Sequence, residues 1–415
     1  MSGSGDRLRD EFEACFGGLA AIGRDPAGGW TRLAWTDEDR AARAWFASEA
    51  AARDLAVEQD PAGNLWAWWP GTGETEEGGV VGVGSHLDTV RRGGAYDGAL
   101  GVVSGLVAVG ELIARGVAPA RPVAVVAFAD EEGGRFGIPT FGSRLLTGAL
   151  DPAELLKRAD EDGVSVARAL TAAGIAPEAL RPDPERVGRL AAFVELHVEQ
   201  GRGLADLGQP VALASAMWPH GRWRLTVTGE ANHAGTTRLA DRRDPMLGLA
   251  AAVLAARAAA TELDAVATVG RVEVEPNSSN SVPGRVTAWL DARAEQDQTL
   301  DWLVTAFETA VEDAAGRNQL GVDLTRESRS PGVEFDADLT ARLDTRLRGE
   351  GLEPPRLPTA AGHDAGALAA AVPAAMLFVR NPTGTSHSPA ESAELDDCVA
   401  GVRALAAVIE ELACD

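Results

Sequence analysis

The chain has 415 residues, 45% of them hydrophobic and 24% charged, which is ordinary for a folded globular protein, exceeds what one hydrophobic core fills and excludes disorder. Its formal charge is −24 and no stretch gathers Lys and Arg, which excludes a nucleic-acid partner. Three cysteines at 15, 398 and 414 support neither a disulfide framework nor a cysteine metal site; with a charged N-terminus and no apolar run of membrane length, they predict a cytoplasmic protein without a membrane partner.

In chain order, the first strong strand signal is "VVGVG", followed by the helical pattern "GALGVVSGLVAVGELIARG" and the strand "PVAVVAFA". An excursion of short helical pieces fills Asp151 to Arg189, then come the strand "AAFVELHV" and, near the end, the strand "AAMLFV" and the helix "CVAGVRALAAVIEELA". Continuous rather than alternating apolar strands predict a sheet covered on both faces, as in an α/β domain.

Between about Ala212 and Ser328 the period changes. "RWRLTVT" alternates Trp223, Leu225 and Val227 with polar residues, which predicts a strand with one wet face. The helix "DPMLGLAAAVLAARAAATEL", the strand "VATVGRVEV", the turn "PNSSNSVPG" and the strand "RVTAWLDAR" follow. A helix bearing Leu300, Leu303, Val304, Phe307 and Val311 on one face and the strand "LGVDLTRES" complete a β-α-β-β-α-β order, that of a ferredoxin-like module. The expectation is an α/β domain of residues 1–211 and 329–415, interrupted by an inserted module over 212–328.

Five of the six histidines lie in short polar contexts: "GSHLD", "ELHVEQG", "ANHAGTT", "AGHDAG" and "TSHSPAE". A single loop histidine is more often a hydrogen-bonded bystander than a ligand; five such contexts shift that balance. Carboxylates gather after the predicted strands: Asp88 and Asp97 after one, Asp130, Glu131 and Glu132 after another, where open α/β sheets bind their ligands. Separated histidines with Asp and Glu suit zinc, with manganese or cobalt as alternatives, and crowded carboxylates need a cation. Asp88, two residues from His86, is placed to take the other N–H of a metal-bound imidazole. A dinucleotide loop and a nucleophile elbow are absent: no G-x-G-x-x-G joins a strand to a helix, and no G-x-S-x-G occurs. On the strand "VTAWLDAR", Asp291 and Arg293 share a face; an anion clamp and a surface ion pair are equally good accounts of them.

The ordered motifs "GSHLDTV", "GGAYDGALGV", "DEEGGRFG", "FGSR", "LHVEQG", "GEANHAGTT", "RRDP", "NSVPG", "LDAR", "AGHDA" and "SHSPAE" resemble those of the two-zinc amidohydrolases. That family includes N-carbamoyl-L-amino-acid hydrolases, allantoate amidohydrolases and β-ureidopropionases, related to aminoacylases and carboxypeptidase-type peptidases; "LHVEQG" narrows it to the carbamoylase and allantoate branch. The resemblance implies a mixed-sheet zinc-hydrolase domain with an inserted lid and dimerisation domain. It implies that Asp97 bridges two metals, one also held by His86 and His197, the other by Glu132 and His387, with Glu131 as general base toward a metal-bridged hydroxide. His233 would act across a homodimer interface as oxyanion donor. Gln200 would meet the ureido group, and Asn280 and Arg293 the carboxylate of a small anionic substrate.

The sequence departs from this family at "AMWPHGRW", where relatives carry a smaller, Gly- and Gln-containing stretch. His220, with Trp218 and Trp223, either packs or reshapes the acyl pocket, and Arg380 in "FVRNPTG" is a candidate second anion contact. An N-formyl or N-acyl amino-acid hydrolase is therefore the alternative substrate class. A noncatalytic binding homologue is a further alternative, against which stands the presence of every implied ligand and of Glu131.

Overall fold

The structure, a computed structural model, describes residues 2–73 and 79–414. It divides into two compact units, Met1–Ser215 with Glu334–Asp415, and Ala216–Val333. The strands are β1 (Ala56–Gln59), β2 (Leu65–Trp69), β3 (Val80–His86), β4 (Val123–Phe128), β5 (Leu190–Val198), β6 (Val211–Met217), β7 (His220–Thr228), β8 (Asn232–His233), β9 (Val266–Glu275), β10 (Ser281–Val282), β11 (Arg285–Arg293), β12 (Gly321–Ser330), β13 (Val333–Glu334), β14 (Arg356–Thr359) and β15 (Ala374–Val379).

In the first unit a nine-stranded sheet runs in the order β1-β2-β4-β3-β5-β15-β6-β13, with β14 on β6. Strands β4, β3, β5 and β15 are parallel, while β2 and β6 join antiparallel on either side, so the domain is α/β with a mixed sheet. Every residue of β3, β4 and β15 is buried, which explains their unbroken apolar runs. The helices Ala99–Ala114 and Leu395–Cys414 pack on each other and on these strands. Each Val or Leu buried in this way contributes about 1.5–3 kcal/mol. The β1–β2 hairpin is not evident in the sequence, because "AVEQ" is short and largely exposed. Asp60 closes its turn, Oδ1 accepting from Ala62 N and Asn64 N, both at 2.9 Å, and Oδ2 from Trp66 Nε1 at 2.8 Å.

The second unit is a four-stranded antiparallel sheet in the order β12-β7-β11-β9, with the helices Pro245–Glu262 and Asp297–Asn318 packed on it. Trp223, Leu225 and Val227 of β7 and Leu290 and Ala292 of β11 are buried in the helix-side core, while alternate residues stay wetter, as the period of two requires. Trp223 is thus a packing residue. The segment expected only as a turn instead forms a two-stranded ribbon, β10 with β8, in which Ser281 faces His233. Among the described residues no helix is long and apolar enough to cross a membrane.

Candidate metal centre

Parallel strands of one sheet end on the same side, so the residues following β3, β4, β5 and β15 converge. His86 is the last residue of β3, and the loop after it returns through Asp97 to Gly98, which has φ +64° and lacks the Cβ that would collide with the His86 ring. Glu131 and Glu132 follow β4, His197 is the penultimate residue of β5, shortly before Gln200, and His387 lies in the segment after β15.

Asp97 stands in the middle. Its Oδ1 is 3.4 Å from His86 Nε2 and 3.2 Å from His197 Nε2; its Oδ2 is 3.3 Å from His387 Nε2, which is also 3.3 Å from Glu132 Oε2. Two donor sets able to hold a cation result, His86–Asp97–His197 and Asp97–Glu132–His387, sharing one carboxylate. The chemistry of the donors fits two divalent cations of borderline character: nitrogen and oxygen, no sulfur. Glu132 Oε1 is buried without a protein partner, as a ligand oxygen would be. A third grouping, Glu195–His197–His363, is spent on structure, since the Glu195 oxygens accept from Ser85 Oγ and Ala365 N, both at 2.7 Å.

Protons are shared tightly here. The hydrogen bond to Asp97 raises the His387 imidazole to about 9, and burial together with the Asp97 charge raises Glu132 to about 7. Burial disfavours charge on His86, but the carboxylates of Asp88 and Asp97 outweigh it and raise that imidazole well above its usual range. Imidazoles and acids set this close together, with Asp97, His86 and His197 buried and His387 at the exposed side, are an arrangement in which a divalent cation can take the place of protons.

Asp88 performs a different task from the one the sequence suggests. The nearest acceptor to His86 Nδ1 is the backbone carbonyl of Asp88, at 3.0 Å, while the carboxylate stands at 3.6 Å. Its two oxygens instead accept from Glu131 N and Glu132 N, both at 3.1 Å, so Asp88 clamps the loop after β4. Glu131 is buried, with Oε2 3.8 Å from His86 Nε2, and burial pushes its carboxyl well above the usual range despite the neighbouring imidazole. Gln200 donates to Asp97 Oδ2 at 2.9 Å and keeps a buried Oε1 without a protein partner.

Arg380, expected as a second anion contact, has its Nε and Nη2 on the Asp397 carboxylate at 2.7 and 2.9 Å, a two-pronged ion pair with the C-terminal helix. His363, which carries no role in the sequence account beyond its context, is buried with its ring edge-on to His197 at 4.5 Å between centroids. Burial and the nearby His197 hold it well below the usual imidazole range. The one sequence signal for it is "AGHDAG", whose next residue Asp364 is buried and accepts from Ser143 Oγ at 2.5 Å.

In the second unit the β8–β10 ribbon sets His233 beside Asn280, whose carbonyl accepts from Ala234 N at 3.0 Å. His233 Nδ1 accepts from Gly235 N at 3.0 Å and Thr236 N at 3.1 Å, which leaves Nε2 to carry the ring proton of the neutral imidazole. His220 of β7 is the cross-strand neighbour of Arg293, whose Nε donates to Asp291 Oδ1 at 2.9 Å. Burial, and then Arg293, lower the His220 imidazole.

Comparison with known proteins places the chain. The N-carbamoyl-L-amino acid amidohydrolase of Geobacillus stearothermophilus is 37% identical over 95% of this chain and 96% of that protein. The allantoate amidohydrolase of Escherichia coli is 34% identical over 98% of both. The crystal structure of a hydantoinase/carbamoylase family amidase from Burkholderia vietnamiensis superposes with a TM-score of 0.86 at 32% identity, covering 99% of this chain and 98% of that one. Residues 82–411 match the model of the peptidase family M20/M25/M40, which covers all five ligand candidates, and the chain belongs to that family.

Proposed function

We propose that this protein is a metal-dependent amidohydrolase that cleaves the linear amide of N-carbamoyl or ureido acids. The observation that carries the reading is the split of the Asp97 carboxylate between two donor sets beside the buried Glu131. The names of the relatives support the substrate class. Two divalent cations held by His86, His197, Asp97, Glu132 and His387, most simply zinc, would polarise the scissile carbonyl and bring a water close to deprotonation at neutral pH.

Glu131 is the general base. Its raised proton affinity suits it to accept a proton at Oε2 from the attacking water and to pass it to the leaving nitrogen. Asp88 holds the base in place through the Glu131 and Glu132 amides. The Gln200 amide lies against Asp97 and orients the ureido group. His233 offers an Nε2–H to the developing oxyanion, a contribution of about 10²- to 10³-fold in rate. Asn280 and Arg293 hold the substrate carboxylate, with the lowered His220 beside Arg293 as a neutral neighbour.

The inserted unit, 212–328, is read as a ferredoxin-like lid and dimerisation domain on a catalytic domain of 1–211 and 329–415. Its edge strand β9 is ten residues long and mostly exposed, and the neighbouring helix Pro245–Glu262 presents Leu247 and Leu254, the latter 72% exposed. A long bare edge beside an apolar helix face is what a second copy, pairing strand to strand about a two-fold axis, would cover. A reducing, cytoplasmic setting suits the buried free thiols of Cys15 and Cys398.

The test is a substrate panel. Protein loaded with zinc, manganese or cobalt is offered N-carbamoyl acids, allantoate, and N-formyl and N-acyl amino acids. Faster turnover of the carbamoyl and ureido members is expected. Preference for the formyl compounds would favour the alternative class that the "AMWPHGRW" segment suggests, and inertness toward all would refute the proposal.

A further inference from the structure

Glu391 takes no part in the chemistry above, yet it is buried at 6% exposure beside the donor sets. Its Oε1 accepts from the backbone N–H of Tyr96 and of Asp97, both at 3.0 Å, and its Oε2 lies 3.4 Å from Ser386 Oγ, which is also 3.3 Å from Asp97 Oδ2. Gly94 makes room for this carboxylate, since a Cβ there would run into it. Glu391 N in turn bonds to Ser388 O, closing the short turn that follows His387. One side chain therefore ties the loop that carries Asp97 to the turn that carries His387.

We infer that Glu391 is a positioning residue that sets the shared ligand Asp97, so that both cation positions depend on it together. This inference rests on the reading of Asp97 as a bridging ligand. Asp97 has to present one oxygen to each donor set, and ligand placement tolerates errors of only about 0.5 Å. An anchored amide at its own backbone fixes where the carboxylate starts. Losing Glu132 or His197 weakens one position; losing the anchor weakens both. Since a single oxygen takes both N–H groups, the reach of that oxygen matters and the charge does not.

The experiment titrates metal-free protein with Co²⁺, followed by visible absorption and by equilibrium dialysis, for the wild type and for Glu391→Gln, Glu391→Asp and Glu391→Ala, with circular dichroism as the check on folding. Wild type is expected to bind two ions. Glu391→Gln keeps the oxygen at full reach and binds as wild type does, whereas Glu391→Asp keeps the charge but withdraws the oxygen and loses about 10- to 100-fold in affinity at both positions, as does Glu391→Ala. The Gln and Asp variants decide the matter even where the Ala variant fails to fold. Affinity retained in Asp and lost in Gln, or lost at one position alone, would overturn the inference. A wild type that binds no ion would instead overturn the bridging role of Asp97 from which the inference starts.

Discussion

Glu131 is nearly out of water, 3.8 Å from His86, and its proton affinity is raised by that burial. Glu131→Gln keeps the shape and removes the base, so kcat is expected to fall by about 10²- to 10⁴-fold, with bound metal unchanged by elemental analysis. Equal turnover would remove Glu131 from its role. Arg32 has no chemistry but a comparable demand: 1% exposed, it donates to Leu87 O at 2.8 Å and Ile22 O at 3.2 Å, and although burial lowers it to about 10 it stays charged at neutral pH. Arg32→Met leaves the buried Leu87 carbonyl unsatisfied, and denaturant unfolding is expected to register a loss of about 1–3 kcal/mol. The thiols of Cys15 and Cys398 are pushed up to about 12 by burial. A pKa raised that far leaves almost no thiolate at pH 8, so iodoacetamide is expected to spare both in the native protein and to label both in denaturant; rapid native labelling would contradict their burial.

The loop between β3 and the helix Ala99–Ala114 is the element on which the donor sets most depend. Gly98→Ala forces a Cβ against the His86 ring at a positive φ, and loss of metal from the His86–His197 position is expected, read as a stoichiometry falling below that of wild type. Strands β3, β4 and β15 of the first unit are plain in the sequence because they are buried on both faces, and β7 and β11 of the second because one face is wet. Strands β1, β8 and β10 are not plain: all are short, β1 and β8 are mostly exposed, and the β8–β10 pair joins residues some fifty positions apart. The same division holds for the site. The acids and histidines that cluster near Asp97 stand out as residue types after apolar runs. What the sequence hides is which atom does the work: a backbone carbonyl holds His86 in place of the Asp88 carboxylate, and Asp397, on a separate helix, claims Arg380. Main-chain acceptors and cross-element pairs leave no mark in a string of residue types.

At the scale of the whole molecule, dialysis against a chelator is expected to abolish turnover and added zinc to restore it. Far-UV circular dichroism should stay the same throughout, because the first unit's apolar core contains no ligand side chain. Collapse of the fold on metal removal would contradict this separation. If the proposed dimer forms through this helix face, Leu254→Glu is expected to give a monomer in sedimentation, with full metal content and little activity; a fully active monomer would sink the proposed cross-subunit role of His233. The net charge of −24 is not expected to repel the anionic substrate proposed above, since charges beyond about 8 Å are screened at physiological salt.

The sheet order has a consequence for biosynthesis. Strand β15, formed by residues 374–379, lies between β5 and β6, which leave the ribosome far earlier. Until that late segment emerges, the flank of β5 that it will cover has no partner, and His387, which follows it, has not emerged either. Until then the nascent chain holds an open seam, prone to sticking to other chains and still without a complete second donor set, and the arrival of the segment from β15 to His387 both shuts the seam and completes the donors.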